Sequence, residues 1–430
     1  MATPLATRLV SLDAYRGFIM LAMASEGFAL ARVHMNLERL TAATSALGQA
    51  ATGPLGAVST LMPQRADLLP ASPLWSFLGY QFEHVPWIGC AFWDLIQPSF
   101  MFMVGVALPY SLASRQARGE SFRASLGHAV IRAAILVLLA VFLSSPQSLP
   151  RGLTPPSGPT TNWIFVNVLA QIGLGYVFVF LLVGRGLWVQ VGALALILAG
   201  SVALFAWVPA PGSDYDWAAV GVPSNWPHLS GWFAHWDKNS NAAHLFDAWF
   251  LNLFPRVEPF RYNGGGYQTL NFIPSMATMI LGLLAGELLR SERSGWVKFA
   301  WLVIASVVCL GLGTYLGQTV CPIVKRIWTP SWAVFSAGWT FAMLASFYRV
   351  IDLLGFRGWS FPLVVVGMNS IAMYCMSQQL RPWIRHNLQV HVGRWWLQGD
   401  YAPVVEATAI LFVLWLICWW LYRQRIFLRI

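Results

Sequence analysis

Histidine 84 lies in the run Phe82-Glu83-His84-Val85-Pro86-Trp87-Ile88-Gly89, and a few residues on comes Asp94-Leu95-Ile96-Gln97-Pro98-Ser99-Phe100. An imidazole titrates near neutrality, and a carboxylate beside it can set its tautomer, so these residue types suit proton transfer. The plain alternative is a histidine in a surface loop. What separates the two is the setting of the loop, which is the edge of an apolar bundle.

The chain of 430 residues is 57% hydrophobic and 10% charged, with a mean hydropathy of +0.58. Soluble domains carry about 25% charged residues, so the sequence describes an all-α integral membrane protein. A span needs about 20 mostly apolar residues. About ten candidates fit, near 11–30, 91–112, 125–144, 162–183, 187–208, 270–289, 297–317, 332–348, 361–379 and 404–422. The first is interrupted by Asp13, Arg16 and Glu26 and has no small-residue cleavage pattern after it, so it reads as a retained span rather than a signal peptide. The expected organisation is one membrane domain over 1–430, with long loops at about 31–90 and 209–269.

The net charge of +10 follows the membrane rather than nucleic acid. Arg115, Arg118 and Arg123, then Arg185, Arg290, Arg293 and Lys298, Arg349 and Arg357, and Arg423, Arg425 and Arg429 all fall in connectors on one side. The positive-inside rule places that side, and with it both termini, in the cytoplasm and the two long loops outside. Lys325-Arg326 and the group Arg381, Arg385 and Arg394 fall on the opposite side and need another reason.

Polar groups inside hydrocarbon mark function or helix pairing. Asp13 and Arg16 share a face of the first span, and Glu26 lies toward its far end. Asp94 and Gln97 share a face just below His84, Asn167 and Gln171 are a turn apart in the fourth span, and Ser370, Tyr374 and Gln378 form a stripe beside Asn369. Interhelical hydrogen bonding would explain each singly. Together they describe a polar tunnel. Trp, Pro, Asn and His crowd the second long loop, as a carbohydrate-stacking surface or an interfacial aromatic belt would require. No histidine pair has zinc-site spacing, the five cysteines are scattered, and Gly264-Gly265-Gly266 lacks the Lys-Ser/Thr of a phosphate loop, so no metal is expected.

These segments, in this order, resemble the heparan-α-glucosaminide N-acetyltransferase family of membrane acyltransferases, its bacterial members in particular. Arg8-Leu9-Val10-Ser11-Leu12-Asp13-Ala14-Tyr15-Arg16-Gly17 is similar to the family's opening motif, and the stretch from His84 through Trp87, Gly89, Asp94-Leu95, Pro98 and Phe100 to Gly105 is similar to its catalytic-histidine segment. Val168-Leu169-Ala170-Gln171-Ile172-Gly173, Tyr262-Asn263-Gly264-Gly265-Gly266 through Thr269-Leu270-Asn271, Lys325-Arg326-Ile327-Trp328-Thr329-Pro330-Ser331 and Gly367-Met368-Asn369-Ser370 resemble four later motifs. Two departures stand out: Glu26 lies near where the heparan enzyme has asparagine, and an acidic Asp-Pro-Glu-Gly block is replaced by Asn263-Gly264-Gly265-Gly266.

The resemblance implies transfer of an acyl group, acetyl being the expected one, from cytoplasmic acetyl-CoA to an amino or hydroxyl group of an extracytoplasmic sugar such as a glucosamine-bearing glycan. It implies His84 as the catalytic histidine. Asp94 is the natural orienter, with Glu26 competing for that part. Lys325 would stabilise an oxyanion or hold an acidic acceptor, with Asn369, Ser370, Gln171, Asn271 and Trp87 as further substrate-binding residues. Arg16, Arg115, Arg118, Arg290 and Arg293 would attract the phosphates of coenzyme A. The partners are then acyl-CoA, a glycan and the lipid bilayer of a bacterial inner membrane; a homodimer is compatible, nucleic acid is not. Both direct transfer and an acyl-histidine intermediate fit. A transporter or channel for a polar solute would explain the intramembrane polar residues but not the His84 motif, and a non-catalytic scaffold would leave His84 without a task.

Overall fold

A computed structural model describes residues 9–38, 73–145 and 160–428. Arg8, Arg429 and the part of the first long loop at 39–72 lie outside the described residues. In chain order the helices are α1 Val10–Ala24, α2 Pro73–Gln81, α3 Ile96–Ala117, α4 Phe122–Ser144, α5 Val168–Leu182, α6 Leu187–Trp207 and α7 Ala242–Phe250. There follow α8 Phe272–Arg290, α9 Gly295–Thr319, α10 Pro330–Phe347, α11 Phe361–Met368, α12 Ser370–Gln379, α13 Arg381–His391 and α14 Ala402–Arg423.

Seven helices among the described residues are long and apolar enough to cross a membrane, and nine spans result if each of two bent pairs counts as one. The protein is an all-α polytopic membrane protein. Outside those bent pairs α5 is a shorter apolar helix of 15 residues, which Asn167 starts by accepting a hydrogen bond from Ala170 N. The expected first and ninth spans are broken rather than straight. After α1 the backbone of Glu26, Gly27, Phe28 and Ala29 turns left-handed, and Gly27–Glu38 leaves at 48°. Between α11 and α12 the bend is 72°, at Asn369.

The centre of the bundle is α3 packed on α8, each span 72% buried. A Cβ on Gly105 would come within 1.9 Å of Met279 O, and one on Gly282 within 2.0 Å of Phe102 O. Only glycine allows these two backbones to approach so closely, and where lipid is as apolar as the side chains such contact drives helix association. At the periphery α6 and α9 are 17% and 22% buried and turn their aliphatic faces outward.

The central helix α3 with its leading turn Phe92–Leu95 runs through the whole bundle. From Asp94 to Arg118 it rises roughly 36 Å at about 1.5 Å per residue, more than the ~30 Å hydrocarbon core. Asp94 and Arg118 therefore belong to opposite faces of the membrane.

Candidate active site

His84 is carried by the loop between α2 and α3, and three local features hold that loop. Gly89 N donates to Ile323 O across an isolated antiparallel bridge between Ile88 and Val324. The Trp87 indole donates to Trp236 O at 3.1 Å. Asp94, turned back by the short helix Phe92–Leu95, accepts from Ala91 N and Val85 N through Oδ2 at 3.1 and 3.3 Å. Its other oxygen, Oδ1, is 2.7 Å from His84 Nδ1. An ionised Asp94 can only accept, so Nδ1 carries the proton and the lone pair sits on Nε2. Among the described residues Nε2 meets no hydrogen-bond partner, and the His84 side chain keeps 38% of its surface accessible.

Lys325 completes this cluster from the connector between α9 and α10. Its ammonium is 3.2 Å from Asp94 Oδ1 and 3.1 Å from His84 Nδ1, and its side chain is 4% exposed. The connector is pinned by Thr329, which caps α10 by accepting from Trp332 N and also accepts from Val324 N. Asn271 Nδ2 donates to Arg326 O, and the Arg326 guanidinium donates to Gly265 O and Val85 O, so the loops on the His84 face are joined beside the site.

The electrostatics favour a neutral imidazole. Burial pushes the His84 pKa below its ordinary 6.5; Lys325 and Arg326 push the same way against the Asp94 carboxylate. Burial brings Lys325 down to about 8 despite Asp94. Cys90, nearby, is held protonated by burial at about 12 and offers no thiolate.

The other end of α3 opens on a cavity of about 480 Å³ between α1, α3, α4, α5, α12 and the C-terminal tail. Arg16, Arg115, Arg118 and Arg132 line it beside Asp13, with an apolar throat of Met20, Phe100, Met103 and Ile172. Arg115 and Arg118 share Glu120 at 2.9 Å each, and Arg132 lies over the Tyr176 ring at 4.9 Å.

The structure brings His84, Asp94 and Lys325 together, and separately Arg16, Arg115, Arg118 and Ser370. Glu26 has other partners: it pairs with Arg381 at 3.2 Å and Arg32 at 2.8 Å, whereas the carboxylate on His84 is Asp94. Lys325 faces the Nδ1 edge of the imidazole, behind the free Nε2. Asn271 and Trp87 hold backbone, as described. Asn369 binds the tail, donating to Ile426 O and accepting from Leu428 N, both at 3.0 Å. Gln171 is buried and accepts from Gln97 Nε2. Arg290 donates to Pro109 O and Arg293 lies over Trp301, and neither lines the cavity. Three of the five cations of the His84 face meet carboxylates, Lys325 with Asp94, Arg381 with Glu26 and Arg385 with Glu406 at 2.8 Å, and Arg326 meets backbone carbonyls.

No family model matches the chain. Two curated proteins do, both named heparan-alpha-glucosaminide N-acetyltransferase. The one from Mus musculus is 24% identical over 392 residues, covering 82% of this chain and 57% of that protein. The one from Homo sapiens is 24% identical over 389 residues, covering 82% and 56%. This chain is a distant relative of both. It spans little more than half the length of these acetyltransferases.

Two features escape the sequence reading. Arg132 was hidden by the apolar run of α4, although a cation in mid-span is itself a signal. The second long loop holds a further pair, His228 Nδ1 and Asp237 Oδ2 at 2.9 Å, with Lys238 over Trp226 at 4.6 Å.

Proposed function

We propose that the protein is a transmembrane acyltransferase that moves an acetyl group from acetyl-CoA on one side of the membrane to an amino or hydroxyl group of a sugar on the other. The observation that carries this reading is one helix with a different half-site at each end. At one end a histidine has its proton held by a carboxylate and its basic nitrogen available; at the other, an arginine-lined cavity suits a phosphate-rich donor. The names of the two curated relatives agree with this chemistry. The arginine-rich end is cytoplasmic by the positive-inside rule, so both termini face the donor. A bacterial inner membrane with an extracytoplasmic glycan acceptor fits that orientation.

In the direct mechanism His84 Nε2 takes the proton of the acceptor as its nitrogen or oxygen attacks the thioester carbonyl. The carbon–sulfur bond then breaks, and the imidazolium returns its proton to the departing thiolate. Asp94 keeps the ring in the Nδ1–H tautomer and offsets the positive charge that His84 acquires. Lys325 adds to the burial that keeps the resting imidazole neutral, and its ammonium holds the Asp94 carboxylate in place. A transporter reading would explain Asp94 as an intramembrane polar group but not the His84 motif or the cation at Lys325. The test is incubation of purified protein with acetyl-CoA and a panel of amino sugars, following thiol release and the acetylated product by mass. Product formation is expected; neither thiol nor acetylated sugar, from folded protein, would contradict the assignment.

A further inference from the structure

The arginine-lined cavity stops short of His84. Along α3 its lining follows one stripe, Phe100, Val104, Ala107, Ser111 and Arg115, at the three- and four-residue spacing of a helix face. One turn beyond Phe100 on the same stripe is Gln97, and one turn beyond Gln97 is Asp94. On α5 the lining residues Val168, Leu169 and Ile172 flank Gln171. Gln97 Nε2 donates to Gln171 Oε1 at 3.1 Å, so two amides meet between the end of the cavity and the catalytic cluster.

Gln171 is fully buried, and its Nε2 has no hydrogen-bond partner. A buried amide N–H without an acceptor is costly and uncommon, whereas apolar residues of similar size would close this gap at no such cost. A donor arm that follows this stripe of α3 from the cavity to Asp94 and His84 would pass the pair. The arm of coenzyme A carries two amide carbonyls and, when acylated, a thioester carbonyl, each an acceptor.

We propose that Gln97 and Gln171 form the subsite for the pantetheine arm of the donor: Gln171 Nε2 donates to a carbonyl of the arm, while the bond from Gln97 holds the Gln171 amide in the orientation that presents it. The proposal rests on the acyltransferase reading above.

The experiment compares two ligands that differ only in the arm. Binding of coenzyme A and of adenosine 3′-phosphate 5′-diphosphate, its nucleotide half, is measured on the wild type, Gln171→Met and Gln97→Met. Coenzyme A affinity should fall about three- to tenfold in Gln171→Met, as for loss of one buried neutral hydrogen bond. It should fall less in Gln97→Met, and nucleotide affinity should stay unchanged in both. Unchanged coenzyme A affinity in Gln171→Met overturns the proposal. Equal weakening of both ligands also overturns it, since the cavity as a whole would then be disturbed. A wild type that binds neither ligand would instead remove the acyltransferase reading on which the proposal stands.

Discussion

At the His84 end of α3 the Asp94 carboxylate and the Lys325 ammonium are buried against each other, while at the far end Arg115 and Arg118 keep more of their surface open to solvent. Asp94 and Lys325 have side chains 1% and 4% exposed, and both touch His84. Arg115 and Arg118 are 27% and 57% exposed and share one glutamate. Charges held in low dielectric interact strongly and can set a proton's position, so the first end is suited to chemistry. Exposed cations contribute little to stability and act through a field that salt screens, so the second is suited to capture of a polyanion. Substitutions should therefore separate: those at the first end change rate, those at the second change donor affinity.

The largest effect is expected from His84→Ala, which should lower acyl transfer by about a thousandfold, within the range of a lost general base, with coenzyme A affinity unchanged. A comparable fall in affinity would show that the two ends are not separate. Asp94→Asn should cost about a hundredfold in kcat at unchanged donor KM, since the ring loses its tautomer control and the charge that favours the imidazolium.

Both of these residues were legible in the sequence because they sit in one short segment. Their contact was not decidable there: a single turn of error in the start of the helix rotates Asp94 away, and it is the extra turn Phe92–Leu95 that returns it to His84. Glu26 competed with Asp94 for the orienting part, and its pairing with Arg381 and Arg32 depends on packing that the sequence does not display. Lys325 was visible as a cation on the wrong face, but its partner lies far away in sequence. The same holds for Gln97 and Gln171, which meet only through packing. The span count came from composition; the bends at Glu26 and Asn369 depend on backbone conformation and tail contacts that hydropathy does not encode.

A moderate effect is expected from pH. His84 works as the neutral base, so activity should rise as pH climbs through a pKa lying below 6.5. The Lys325 ammonium holds Asp94 on His84 through its charge, so activity should decline as pH passes about 8. In Lys325→Arg the alkaline decline should move up, because a guanidinium stays charged. Thiol release from acetyl-CoA without acceptor, read across pH, avoids the acceptor's own ionisation. An alkaline limb that stays in place in Lys325→Arg would break the link to Lys325.

The smallest effect is at the open end. Arg115→Ala and Arg118→Ala should each weaken coenzyme A binding severalfold at low ionic strength, with the difference shrinking as salt rises and kcat unaffected. Titration calorimetry at two salt concentrations reads this directly, and a loss that persists at high salt would assign these arginines a buried contact instead.

The two-ended account is tested most directly in sealed, oriented vesicles holding an amino sugar on the His84 face. Labelled acetyl-CoA is then supplied on one face at a time. Labelled product should form only when the donor is on the arginine face, and should vanish with His84→Ala. Product formed equally with the donor on the His84 face would contradict transfer across the membrane.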